Sequence, residues 1–174
     1  AGASAATGSG QPPLLLAAPS ASSGFDSPRM VYVTRPYELQ AFSSHEWVDA
    51  PARMLAPVLV RALEARGGVA VAQGAVASGA ALRLDTQLLC LQQEFLTSPS
   101  RVRFALRAEL SETRSGKRVA SRTFEALEDA PSDDPYGGVL AANRAVSRVL
   151  DELAPWVAAE ANAATPAAAE KEAR

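Results

Sequence analysis

SPRMVYVTRPYELQAFSSHEWVDAPARMLAPVLVRALEARGG, residues 27–68, reads as strand, turn, strand and amphipathic helix in one run. Met30 to Thr34 is β-branched and aromatic, the composition of a strand. Arg35-Pro36 interrupts it, because proline cannot donate to a ladder and forces its predecessor into extended geometry. Tyr37 to Trp47 resumes as a strand, with Leu39 and Ala41 on one side and Gln40 and Phe42 on the other, so the pair is expected to form a hairpin. Asp49 is placed to cap the helix that follows, and Pro51 suits its first turn. Met54, Leu55, Val58, Leu59, Ala62 and Leu63 form an apolar stripe at spacings of three and four, and Gly67-Gly68 supplies the left-handed stop. Pro57 is discordant: the helix either starts near Ala56 or bends there.

Upstream, Leu14-Leu15-Leu16-Ala17-Ala18 fits a short buried strand, and residues 19–28 form a loop rich in Pro, Ser and Gly. Downstream, Val69 to Ala72 is a short strand and 73–80 a glycine-containing loop. Ala81 to Phe95 is a long strand whose alternation breaks at Leu88–Leu91, which predicts burial on both faces or a bulge. Arg101 to Ser111 alternates cleanly, Val102, Phe104, Leu106, Ala108 and Leu110 against Arg101, Arg103, Arg107 and Glu109. A Ser115-Gly116 turn leads to a return strand from Arg118 to Leu127, then an acidic loop over 128–135. Val139 to Val157 carries the strongest helical stripe. The expected fold is α+β, a mostly antiparallel sheet with two main helices packed on it. The expected organisation is a flexible linker over residues 1–13, one domain over 14–158 and a flexible or frayed helical tail over 159–174.

Composition narrows the function classes. With 17 basic and 19 acidic side chains the net charge is −2, so no basic excess asks for nucleic acid. Cys90 is the single cysteine and excludes an internal disulfide. No apolar run is long enough to cross a bilayer as a helix. The chain opens AGASAATGSGQPP, with no Met and no signal-peptide pattern, and is expected to be a trimmed form.

Catalytic chemistry finds little footing. His45 is the sole histidine, and a zinc site or nucleophile–base pair needs further groups; a surface histidine is the plainer reading. Cys90 between Leu89 and Leu91 reads as an inert buried thiol rather than a nucleophile. Gly137-Gly138 precedes a helix but lacks the residues of a phosphate loop, and Asp133-Asp134 lacks the spacing of a calcium loop. No metal, no cofactor and no enzymatic activity are therefore expected. Arg101, Arg103 and Arg107 form either a solvated sheet face or a surface for an acidic partner or lipid headgroups. Trp47 and Trp156 read as core anchors, Trp47 with an interface role as the alternative.

Three pieces of the opening stretch resemble the ABC-type transport auxiliary lipoprotein family, which includes the paraquat-inducible protein C type: Ser27-Pro28-Arg29-Met30-Val31-Tyr32, Arg35-Pro36-Tyr37-Glu38-Leu39, and Trp47 through Leu55 with Leu63-Glu64. The likeness continues more weakly in Arg103 to Ala108 and from Ala141 to Trp156. The resemblance implies a non-enzymatic periplasmic lipoprotein of Gram-negative bacteria, anchored to the outer membrane by an N-terminal lipidated cysteine that this chain lacks. It implies partnership with an MCE-domain protein and with an ABC permease and ATPase on separate chains, in a system that moves phospholipid or sterol-like lipids between membranes. Within that frame Arg35, Pro36, Tyr37 and Trp47 are the candidate partner-binding residues. A stand-alone lipid- or small-molecule-binding domain, with its pocket between sheet and helices, is the alternative.

Overall fold

The computed structural model describes residues 12–74 and 79–172, with side chains through Thr165. The elements run β1 (Leu14–Leu16), β2 (Ser20–Ala21), β3 (Arg29–Arg35), β4 (Glu38–Glu46), α1 (Pro51–Gly67), β5 (Val71–Ala72), β6 (Leu82–Glu94), β7 (Arg101–Glu112), β8 (Arg118–Asp129) and α2 (Pro135–Glu172). The hairpin, the two helices and the three-strand antiparallel set stand where the sequence predicts them, in an α+β fold.

β6 is the strand on which the others register. One edge pairs antiparallel with β7 along its length, and β7 pairs in turn with β8. The other edge is shared by three parallel segments in succession: β1 beside Arg83 and Leu84, β2 beside Gln87 and Leu88, and β3 beside Gln93 and Glu94. The first part of the chain thus climbs β6 from one end to the other. Between Arg83 and Glu94 it rises about 36 Å at ~3.3 Å per residue. The N-terminal side of Leu14 lies at the base of the sheet, and the β3–β4 turn lies at the opposite end. The loop expected over 19–28 contributes the short strand β2, a two-residue pairing that polar serine gives little sign of.

The bulge expected in β6 is present. Leu88 faces Leu106 but Cys90 faces Ala105, which leaves Leu89 as the extra residue. The side-chain period therefore flips: Leu84 and Leu88 face the helices before the bulge, Leu91 and Gln93 after it. On that face Phe104, Leu106, Leu110 and Phe124 meet Leu55, Leu59 and Leu63 of α1 and Val149, Leu150, Leu153 and Val157 of α2 in one core. Burying each large aliphatic or aromatic side chain contributes about 1.5–3 kcal/mol.

α1 begins at Pro51 and passes through Pro57, which is exposed, so the start near Ala56 is not observed. Its cap is Ala50, not Asp49. With Pro51 at the first helical position Asp49 stands one residue too early, so its Oδ1 accepts from the Ala50 N–H (2.7 Å) and pairs with Arg53 (3.3 Å). At the far end Gly68 is left-handed (φ 63°) and its N–H reaches Leu63 O. Gly67 lies against α2, where a Cβ would come within 2.9 Å of Ala154 O.

α2 extends further at both ends than the stripe from Val139 to Val157 predicts. Asp134 caps it, accepting from the Gly137 N–H at 2.7 Å and from the Ser132 hydroxyl at 2.8 Å, with Pro135 as first residue. Gly137 and Gly138 therefore sit inside the first turn rather than in a loop before it. They are there for space: a Cβ on either would approach Ser132 or Gln93 closer than 3.0 Å. Residues 159–172, expected as a flexible or frayed helical tail, continue the helix. At 38 residues α2 is about 57 Å long, longer than any strand beneath it. The linker expected at 1–13 falls outside the described residues up to Gln11.

Candidate functional site

The β3–β4 turn has one backbone feature that ordinary turns avoid. Arg35 pairs with Glu38 across a two-residue loop, Pro36-Tyr37, and Tyr37 has φ 67°. Proline followed by positive φ is the pattern of a type II turn, whose second position favours glycine or asparagine. An L-residue with a full side chain pays about 1–2 kcal/mol there. Packing does not compensate, because Tyr37 is fully exposed with no ring or hydrogen-bond partner, and Arg35 is exposed and unpaired.

Behind the turn the hairpin is firmly held. The Tyr32 ring lies 4.4 Å from Phe42 and 5.9 Å from Phe95, centroid to centroid. Tyr32 Oη donates to Gln40 Oε1 (2.9 Å), and Gln40 Nε2 donates to Thr34 Oγ1 (3.1 Å). The Phe95 N–H donates to Val33 O (2.8 Å), tying the end of β6 to the end of β3. A strained, exposed aromatic is thus carried on a rigid support.

Trp47 does not join that turn. It follows the far end of β4, nine residues long and so about 30 Å at ~3.4 Å per residue. Its N–H donates to Pro28 O (2.7 Å), and its ring packs with Val102, Ala130, Ala141 and Ala142 in a second small core. Beside it a cavity of about 10 Å³, lined by Met30, Phe42, Leu91, Gln93 and Gly138 among others, has room for one water. Gln93 is 3% exposed; its Nε2 donates to Ser100 Oγ (3.0 Å) and Asp134 O (3.1 Å), while Oε1 has no partner.

The arginine face of β7 is largely neutralised from within. Arg103 Nε donates to Glu94 Oε1 at 2.7 Å and its Nη1 pairs with Glu125. Burial pushes the Glu94 carboxyl up, but hydrogen bonds from Arg103 and Gln92 with the nearby guanidinium charges outweigh it and hold the group below its usual range. The bond to Glu94 in turn raises Arg103. Arg101 lies opposite Glu94 and Asp129, half-buried, its Nε without a partner. Arg107 alone of the three is exposed and unpaired. Cys90 is half-buried near Arg103 O; burial first, then Glu94, pushes its thiol up to about 12, so it stays protonated at neutral pH. His45 is exposed beside Phe42. Among the described residues no three His, Cys, Asp or Glu side chains are grouped to hold a metal ion.

Two exposed apolar residues at the hairpin end were not singled out from sequence: Leu96, 47% exposed after β6, and Tyr136, 68% exposed in the first turn of α2. Tyr136 follows Asp134-Pro135, whose cap pattern was the available signal. Leu96 carried none, since an apolar residue at a strand end reads equally as core.

A sheet with a filled helix face and an exposed, rigid hairpin turn defines an α+β domain whose candidate chemistry is surface recognition. The chain belongs to the ABC-type transport auxiliary lipoprotein component family, whose model matches residues 1–154. Among solved structures it is similar to protein XCC0632 from Xanthomonas campestris, 28% identical with a TM-score of 0.80 over 88% of both chains. The fold is shared with the hypothetical protein CT253 of Chlamydia trachomatis (8% identity, TM-score 0.59, covering 88% of this chain and 99% of that one). It is also shared with PelC of Paraburkholderia phytofirmans, solved as a dodecamer (14%, 0.51, 81% and 86%). No curated protein matches the chain. Family membership makes this an auxiliary component of ABC-type transport of the lipoprotein class, which is membrane-anchored and extracytoplasmic.

Proposed function

We propose that this chain is a non-enzymatic periplasmic accessory lipoprotein of an MCE-type ABC transporter that moves lipids between the inner and outer membranes. Its lipid anchor sits in the outer membrane, and its Arg35-Pro36-Tyr37 turn contacts the MCE-domain partner. Family membership supports the accessory role, and the observation that carries the site is Tyr37, held at φ 67° with its ring in solvent. Strain kept at an exposed position is a mark of function, because folding gains nothing from it. Trp47 contributes by seating the hairpin, and Arg107 is the one arginine of its face free to meet a lipid headgroup, away from the partner-binding turn.

Co-purification with the MCE protein of the same system tests the reading. It is expected to survive Arg107→Glu and to be lost on Arg35→Glu with the melting temperature unchanged; binding unaffected by Arg35→Glu would remove the turn from the account. Trp47→Ala is a poorer test than its sequence position promises, because Trp47 is also part of a core.

A stand-alone lipid-binding domain would need a different space from the one expected. The cavity between sheet and α2 at Gln93 holds about 10 Å³. An open groove of about 490 Å³ between residues 24–29 and 39–41 is the space that favours this second reading. Native mass spectrometry that finds no bound lipid, with no lipid exchange in vitro, would remove it.

A further inference from the structure

The sheet ends on β8, and that edge is open. Among the described residues β7 is the strand that pairs with β8, in unbroken register from Ala120 opposite Leu110 to Asp129 opposite Arg101. Alternate residues of this run turn their backbone N–H and C=O groups outward, where no described strand meets them. Proteins blunt such an edge with proline, lysine or a bulge. β8 is 12 residues long, holds neither proline nor lysine, and shifts register only at its start, beside Leu110 and Ser111. At the opposite edge of the sheet β4 is guarded, since its register to β3 breaks twice.

The charges along β8 invert about Thr123. Lys117, Arg118 and Arg122 precede it, and Glu125, Glu128 and Asp129 follow it. Thr123 is exposed, as are Ser121, Arg122 and Glu125. An antiparallel copy of β8, related by a two-fold axis through Thr123, therefore meets its own complement. Thr123 faces Thr123, Ser121 faces Glu125, Ala120 faces Ala126, and Arg122 faces Phe124, the kind of ring it already covers at 4.6 Å within its own chain. Val119 is the extra residue of the register shift, so beyond it Lys117 and Arg118 come alongside Glu128 and Asp129 as a group. No like charges stand directly opposite one another. An axis through Arg122 or Glu125 would set that residue against itself, and one through Phe124 would set no base opposite an acid. From α2, Glu152 and Arg148 hold Arg122 and Glu128 in place at this edge.

We propose that the outer edge of β8 is a self-association surface, on which a second copy of this chain adds its own β8 antiparallel about Thr123 and continues the sheet. The inversion of charge argues for a second copy, because an unrelated extended peptide has no reason to match it. β4 stands at the other edge, so both Arg35-Pro36-Tyr37 turns stay uncovered in the pair. The inference is independent of the accessory-lipoprotein reading above.

The test is sedimentation equilibrium of the full chain over a concentration series, with cysteine substitutions to read the register. The expected result is a reversible dimer, weakened about tenfold by Thr123→Lys, which sets two like charges on the axis. At a dilution where both proteins are monomeric, the variant is expected to melt with the wild type. Under mild oxidation Thr123→Cys is expected to give a disulfide-linked dimer, with the wild type as control for Cys90. An equimolar mixture of Ser121→Cys and Glu125→Cys is expected to link to each other more than either links to itself, and Ser43→Cys on β4 is expected to give no dimer. A monomer at every concentration would overturn the surface. So would a dimer indifferent to Thr123→Lys, or one linked through Ser43→Cys and not through Thr123→Cys. Each of these outcomes leaves co-purification with the MCE protein as the separate test of the accessory reading.

Discussion

Gly138 in the first turn of α2 and Gln93 near the end of β6 interlock: a Cβ on residue 138 would lie closer than 3.0 Å to Gln93 Oε1, and Gln93 cannot retreat without leaving Ser100 and Asp134. Gly138→Ala is therefore expected to destabilise the domain by about 1–3 kcal/mol, even though alanine is the better helix former. A thermal melt reads this as a drop of several degrees; an unchanged or higher melting temperature would mean that Gln93 moves freely.

Tyr37→Asn separates stability from docking. Asparagine tolerates positive φ at the turn, so the variant is expected to gain up to about 1 kcal/mol in urea unfolding. The same variant is expected to lose affinity for the partner. A stability gain with binding intact would leave the strained ring without a role.

The Glu94–Arg103 pair makes part of the stability pH-dependent. A carboxyl held below its unfolded value contributes stability that is complete above the unfolded value, about pH 4.3, and is lost as pH falls through the folded value. Asp133 and Asp134, lowered by backbone N–H groups of Ser100 and Gly137, act in the same direction. Glu94→Gln is expected to flatten the acid limb of stability below about pH 4 and to cost about 1.5–3 kcal/mol at neutral pH, where Arg103 loses its charged acceptor. Parallel acid limbs for the two proteins would exclude the pair as a source.

Cys90 is expected to resist alkylation at pH 8 in the folded protein and to react at the rate of a free thiol in denaturant, because burial keeps it protonated. Mass spectrometry after a timed pulse of iodoacetamide measures this. Rapid labelling without denaturant would show that the sheet opens at the bulge.

The hairpin, the β6 bulge and the β7–β8 pairing could be read in the chain because each has a period or turn signal of its own. The start of α2 could have been: Asp134-Pro135 is a cap followed by a first-turn proline. It was obscured by Gly137-Gly138, whose cause is the distant residue Gln93. Asp49 misled by one residue, since Pro51 sets where the helix begins. At the site, Arg35-Pro36-Tyr37 stood out as an interrupted strand, but its strain is a backbone angle that composition does not encode. Trp47 looked like part of the same feature and lies at the other end of β4. The exposure of Leu96 and Tyr136 depends on how β6 and α2 end, which no local pattern in the sequence signals.

Titrating the purified domain against its purified MCE subunit tests the central claim most directly. The account predicts saturable binding, weakened at least tenfold (about 1.4 kcal/mol) by Arg35→Glu and left unchanged by Lys117→Glu at the base. Absent binding, or binding equally insensitive to both changes, would contradict it.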